Sequence, residues 1–498
     1  MRVSERWRGS LRLKLAAAGL VVLLGDVVFW QAKQWAGVQG LFGLGLVAAV
    51  AIARPAVRQD RRAQAALAAA AIYAGAQVWD PSLLAFALFW IAIGMATLLP
   101  GTARFDDGWR WFQRLLVHGA KSLFGPLIDL FKYSRLRRKR GPGTAGLRRS
   151  LPVLVLPVLG TALFVWLFAQ ANPVVERLLS LLRLPAPDWE IIPRMILWGV
   201  FAMLAWGVLR ARPPRRLFGT FGGAGDRVLP GVTLRSVTLS LIAFNAVFAA
   251  ENLLDAAYLS GLAQLPAGIT LADYAHRGAY PLIVTALLAA LFVLVTLRPH
   301  SRTAASPVVR RLVTLWIVQN LALVASAALR TLAYVEAYSL TVLRISALLW
   351  MGLVAAGLVL VLWRMLAGKS AAWLINANLA SAGLLLSAVC FVDLGAAAAQ
   401  WNVRHAREVG GSGAALDLCY LNELGQSSLL PLIELEQRGL TGPLATNVPQ
   451  VRWQVQQQRG GEWSLLRDWR QTEAKRRLGP AFMQPPSDQG ICYDRYGN

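Results

Sequence analysis

The chain has 498 residues, 56% hydrophobic and only 15% charged, with a mean hydropathy of +0.48; soluble domains carry about 25% charged residues, so lipid is expected to be the main solvent. Lys and Arg number 51 against 26 Asp and Glu, a formal net charge of +25. That excess is read as loops facing anionic lipid headgroups on the cytoplasmic side, and nucleic-acid binding is set aside because aromatic platforms and recognition-helix patterns are missing.

About eleven apolar stretches of roughly bilayer-crossing length run from Leu13 to Val392. Arg2, Arg6, Arg8, Arg12 and Lys14 precede the first, which ends near Trp30; the run Asp26-Val27-Val28-Phe29-Trp30-Gln31 offers no small-residue cleavage site, so this span is expected to be retained. The second, Ala36 to Ala53, carries a small-residue face of Gly37, Gly40, Gly43 and Gly45. The third, Ala63 to Trp79, is mostly alanine, which permits close helix approach. Asp80-Pro81 turns the chain into the fourth, Ser82 to Leu99.

The basic insertion 100–150 centres on Lys132 to Arg140. Before it, Trp109, Trp111, Phe112, Leu115, Leu116, Leu123, Phe124, Leu127 and Phe131 interleave with Arg110, Arg114 and Lys121, the pattern of a helix lying in the headgroup plane, although a solvated connector has the same charge. Spans five and six are Leu151 to Ala171 and Ile191 to Leu209, around a loop poor in basic residues. A Gly/Arg-rich linker leads to span seven, Val232 to Leu259; then come eight (Gly278 to Leu297), nine (Leu312 to Tyr338), ten (Thr341 to Trp363) and eleven (Ala372 to Val392).

Basic residues crowd every second gap. The amino end, 54–62, 100–150, 210–230, 298–311 and 364–369 are rich in Lys/Arg; 80–81, 172–190, 260–277 and the turn near Ser339 are not. The amino end is therefore expected in the cytoplasm and the tail, 393–498, outside the cell membrane. An exported tail makes a Cys419–Cys492 disulfide a reasonable expectation against two unpaired thiols. The tail reads as short helices around Asp417–Leu424, Leu429–Gln437 and Trp463–Leu478.

Charges inside spans are costly, by roughly 2.5–3.5 kcal/mol on insertion scales, and are the candidates for function. Span seven holds Asn245, Glu251, Asn252 and Asp255, with the two acids four residues apart and so on one helix face. His276 and Arg277 open span eight; Arg330 and Glu336 lie late in nine; Arg344 lies early in ten. With the orientation above, all fall at the outer level, where they form either an outward-facing polar cleft or ion pairs that lock the helices. Asp26 reads as a lone carboxylate near the outer end of its span, a snorkelling or capping residue in preference to a relay. Phosphate-loop, zinc-protease, C-x-x-C and nucleophile-elbow motifs are missing, and the histidines have no metal-ligand spacing, so no cofactor and no metal are expected.

Four stretches, Phe244 to Asp255, Tyr274 to Pro281, Leu329 to Tyr338 and Trp401 to Ala406, resemble as a set a family of bacterial multi-spanning membrane proteins catalogued as a domain of unknown function. The resemblance covers about residues 232–435 and implies a bacterial inner-membrane location but no activity. The expectation is thus an all-α polytopic bundle with a small helical carboxyl tail, organised as 1–99 (first spans), 100–150 (basic loop), 151–392 (main bundle) and 393–498 (exported tail). Its function is read as a transport or channel-like component using the cleft, the alternatives being an envelope or lipid-modifying enzyme and a scaffold or sensor without catalysis.

Overall fold

Helices begin where the sequence supplies side-chain caps. Asp60 accepts hydrogen bonds from the Arg62 and Ala63 amides, Ser82 from Ala85, Thr341 from Arg344, Ser370 from Trp373 and Ser464 from Arg467; each satisfies an amide that the first turn leaves without a partner. The computed structural model describes residues 2–31, 37–102, 105–138, 190–211, 233–260, 301–458 and 463–486, with isolated positions at 161, 213, 214, 217–219, 285, 288, 291–293 and 296. Among these residues all regular structure is helical.

The principal helices are α1 (Arg2–Gly25, extended by a π-turn Asp26–Gln31), α2 (Val38–Ala53), α3 (Arg61–Trp79), α4 (Leu83–Leu98), α5 (Gly108–Arg138), α6 (Ile191–Leu209), α7 (Leu234–Leu259), α8 (Pro307–Tyr338), α9 (Val342–Leu366) and α10 (Ala371–Val389). The tail adds α11 (Leu394–His405), α12 (Leu418–Glu423), α13 (Leu429–Glu436), α14 (Pro443–Gln457) and α15 (Leu465–Leu478).

Seven segments are long and apolar enough to cross a membrane: the end of α1 with its π-turn, α4, α6, α7, α8, α9 and α10. The expected count of eleven is not reached among the described residues. α2 has 16 residues, about 24 Å of helix against a hydrocarbon core of about 30 Å. α3 is long enough, but its alanines are weakly apolar and two arginines open it. Span five and most of span eight lie outside the described residues.

The glycines of α2 do what their spacing implied. A Cβ on Gly40 would sit 2.4 Å from the Ala74 carbonyl oxygen and 2.6 Å from the Val78 nitrogen of α3, and one on Gly43 would press Ala74 and Phe89. Backbones therefore meet directly, the contact that holds helices together where lipid is as apolar as leucine. Around this seam Phe29, Phe42 and Phe201 stack edge and face, joining α1, α2 and α6 in one core with Leu46, Val50 and Leu209.

A second core gathers Val237, Leu241, Val313, Ile317, Met351 and Leu358 from α7, α8 and α9. Here α7 and α8 run parallel: the Asn245 amide nitrogen donates to the Leu312 carbonyl (3.1 Å) and, seven residues on, Asn252 donates to the Gln319 carbonyl (3.2 Å). Phe292, inside the expected span eight, packs between Phe244 and Trp316.

Helix ends sort onto two faces. On the basic face, Arg54 at the end of α2 donates to the Val208 (2.9 Å) and Ala211 (3.5 Å) carbonyls at the end of α6. Across the same face lies α5, the helix expected in the headgroup plane. Its amino end is bonded to α10 (Gly108 amide to Asn376 Oδ1, 2.7 Å), and its middle packs on α6, where a Cβ on Gly207 would meet Ser122. α5 thus straps the amino-terminal helices to α10. Beneath it a cavity of about 320 Å³ is walled by Trp90, Leu115, Met203 and Leu204, with His118 and Ser122 as its polar edge. Burial, aided by the charge of Arg54, lowers His118 to about 4, so its imidazole is neutral near neutral pH.

The opposite face carries the tail. α11 to α15 enclose a core of their own (Leu421, Leu429, Leu432, Ile433, Leu435, Val448 and Val455), so the tail is a folded unit. Two of its helices, α11 and α14, go beyond the three expected from the sequence. It docks on turns of the bundle: the Asn402 side chain brackets Leu340 with two hydrogen bonds (2.7 and 2.9 Å), the Tyr420 hydroxyl accepts from the Val342 amide (2.9 Å), and the Gly37 amide donates to the Trp463 carbonyl (2.7 Å).

Candidate functional site

The intramembrane charges meet in the seam between α7 and α8. Asp255, 4% exposed, accepts a hydrogen bond from the Ser326 hydroxyl at 2.7 Å and pairs with the Arg330 guanidinium at 3.2 Å. The Asn245 and Asn252 contacts continue the same seam by two helical turns, each amide also bonding the carbonyl four residues before it (2.7 Å). Three polar residues on α7, Asn245, Asn252 and Asp255, therefore face a parallel partner.

The other expected members separate. Glu251, one turn before Asp255, is exposed, as is Glu336 on α8. Arg344 does not reach either acid of α7: it donates to the Tyr338 (2.7 Å) and Ser339 carbonyls and lies over the Tyr334 ring at 4.1 Å. It thereby holds the α8–α9 turn, where Ser339 adopts a φ of +71°, a backbone conformation that costs a non-glycine residue of order 1–3 kcal/mol. His276, Arg277 and Cys492 lie outside the described residues; Cys419 is half-buried at the start of α12. No cluster able to hold a metal ion occurs among the described residues.

Asp26 is not a lone carboxylate. Arg194 of α6 clamps it through Nε (2.7 Å) and Nη2 (2.5 Å), the Trp198 indole donates to it at 2.8 Å, and Gln31 adds a bond at 3.3 Å. At the other end of α6, Asp129 of α5 pairs with Arg210 (2.9 Å) and accepts from the Trp206 indole (3.0 Å). In both groups the guanidinium lies over its tryptophan at 5.4 Å. The sixteen residue steps from Arg194 to Arg210 make about 24 Å of helix, so two Asp–Arg–Trp groups pin the two ends of one span at interface depth. The signal was present in sequence as an arginine and a tryptophan four apart, in mirrored order, at both ends of span six.

Chemically, these arrangements hold charge closed: each buried acid has a guanidinium and a further donor, which is how a low-dielectric interior tolerates ions. No curated protein and no solved structure matches the chain. One family does, over residues 18–435, described as a domain of unknown function, DUF4153. The match takes in the first described span from residue 18 and the other six whole, the Asp255–Arg330 seam and the tail as far as α13, well beyond the stretches in which the resemblance is legible. With its apolar helices and this match over most of its length, the chain is a membrane-protein member of the DUF4153 family.

Proposed function

We propose that the protein is a non-catalytic membrane scaffold or sensor, a bundle held shut by internal ion pairs that presents a folded tail on one face. The observation that carries this reading is the closed Asp255–Ser326–Arg330 group, which sits where a transport cleft had been expected. In the α7–α8 seam the side-chain amides of Asn245 and Asn252 bond the facing backbone, which supports a packing role. The transport reading retains one observation, the exposed carboxylates Glu251 and Glu336; the enzyme reading turns on His276, which lies outside the described residues. Proteoliposomes of the full chain are expected to pass protons and monovalent ions no faster than empty vesicles under an imposed gradient. Flux that disappears in Glu251→Gln or Asp255→Asn would sink the scaffold reading and restore the cleft.

We further propose a bacterial inner-membrane location, with the basic face in the cytoplasm and the tail exported. The support is geometric and electrostatic: Arg54, Arg62, Arg210 and the helix α5 share one face, the tail docks on the other, and arginine-rich connectors are retained on the cytoplasmic side. A periplasm-active reporter fused after residue 498 is expected to be active and the same reporter fused before residue 1 silent. The reverse pattern would overturn the assignment.

A further inference from the structure

Among the described residues, one deeply buried guanidinium faces no carboxylate. Arg364 lies in the last turn of α9, 3% exposed, and its Nε is enclosed without a hydrogen bond. The other arginines buried to this degree each meet an acid: Arg330 meets Asp255 (3.2 Å), Arg452 meets Glu436 (2.8 Å) and Arg470 meets Asp393. A buried charge with no opposite charge beside it is what a low-dielectric interior tolerates least, so Arg364 calls for an anion that the chain does not supply.

Its place follows from the stripe that it ends. Met351, Leu358, Val361 and Arg364 are the buried residues of α9, and their spacing keeps them on one helix face. Leu358 and Val361 enter the second core with Val309 and Val313 of α8 and Leu374 of α10. Arg364 continues that core-facing stripe to the end of the helix, while Trp363 and Leu366 of the same turn are exposed on its outer side. An arginine at the end of a span ordinarily snorkels to water, and tryptophan marks the headgroup level. This arginine stays covered at that level.

The surrounding charge has one sign. α7 and α8 run parallel and the Ser339 turn sends α9 back along α8, so the starts of α7 and α8 and the close of α9 share one end. Arg235, Arg302, Arg310, Arg311 and Lys369 lie there, and residues 233–250, 301–335 and 341–392 contain no Asp or Glu. The acids that precede α5 where it meets α10, Asp106 and Asp107, are engaged by Arg110 (3.4 and 3.8 Å) and Arg114 (2.5 Å) of α5 itself. A forked guanidinium matches phosphate oxygens in pairs, and basic recesses between spans at headgroup depth suit anionic lipid. We propose that Arg364 anchors a binding site for a phosphate-class anion, the phosphodiester of an anionic lipid headgroup, drawn to this end by the arginines around it. The site stands apart from the scaffold reading and from which side of the membrane the basic face occupies.

The full chain, purified in a maltoside detergent, is titrated with phosphatidylglycerol and separately with phosphatidylcholine of the same acyl chains, and bound lipid is read by native mass spectrometry. The first phosphatidylglycerol is expected to bind at least about tenfold more tightly than phosphatidylcholine, and Arg364→Met is expected to abolish that preference, the loss of one charge-assisted contact. Arg364→Lys, which keeps the charge but not the fork, is expected to retain part of it. Arg311→Gln, which removes an exposed charge at the same end, is expected to change the affinity less than about twofold. In detergent alone Arg364→Met is expected to be at least as heat-stable as the parent, since it has no protein ion pair to lose, and phosphatidylglycerol is expected to raise the unfolding midpoint of the parent only. A parent without the lipid preference, a preference that survives in Arg364→Met, an Arg311→Gln variant as impaired as Arg364→Met, or an Arg364→Met chain less stable than the parent in detergent alone would overturn the site. Inorganic phosphate that stabilises the parent as much as the lipid does assigns the site to soluble phosphates; stabilisation by phosphatidylglycerol only assigns it to a headgroup.

Discussion

Replacing Arg330 with glutamine is expected to destabilise the bundle by about 3–5 kcal/mol, because it removes the guanidinium charge that faces the buried Asp255 carboxylate. Both side chains are at least nine-tenths buried, so solvent offers little screening to the residue left behind. The Ser326 hydroxyl remains as a donor, but one neutral hydrogen bond, worth about 0.5–1.5 kcal/mol net, does not replace a guanidinium. Asp255→Asn is expected to cost a similar amount by removing the carboxylate charge that faces the buried Arg330 guanidinium. The double variant, with neither charge, is expected to recover most of the loss, since a buried ion pair gains little over a neutral pair once desolvation is counted. Thermal unfolding of detergent-solubilised protein, followed as the fraction that stays monodisperse, measures all three. A single variant as stable as the parent would remove the basis for calling this pair a lock.

Gly40→Leu is the second large effect. The Cβ alone would overlap the Ala74 carbonyl oxygen and the Val78 nitrogen, atoms of the α3 backbone that cannot swing aside. α2 must move away from α3, which also opens the packing of Phe42 against Phe29 and Phe201. Overpacking of this kind costs about 1–3 kcal/mol and more where backbone is the obstacle. Gly19, whose added Cβ would meet nothing within 4 Å, supplies the control: Gly19→Leu is expected to leave folding unchanged. Equal yields of monodisperse protein from the two variants would show that the α2–α3 contact is not set by glycine.

The polar stripe of α7 was legible as a stripe. Asn245, Asn252 and Asp255 lie at helical spacing in an apolar context, and their need for partners follows from the cost of burying amides and charges. Which partners they find was not legible. The sequence offers Arg330 and Arg344 as equal counter-charges, and Arg344 is drawn instead to the carbonyls at the end of α8. Asp26 failed in the other direction, because its partner Arg194 lies 168 positions away on a helix whose neighbours the sequence does not specify.

The tail shows the same division. Its polar composition concealed Leu421, Leu432 and Ile433 as a fully buried core, since amphipathic helices of six to fifteen residues are too short for their apolar faces to raise local hydropathy.

By itself the sequence determined that the chain is helical and lives in lipid, and how basic connectors alternate with others. Those are local properties: apolar length and the cost of moving arginine through a bilayer act on each segment alone. Only the tertiary structure decided that α7 runs beside α8 and not against it, that the strap α5 joins two cores, and that Asp255, one of the acids expected in a cleft, is paired with Arg330. Contacts between helices depend on where small residues let two backbones meet, and that is a property of pairs, which no single segment carries.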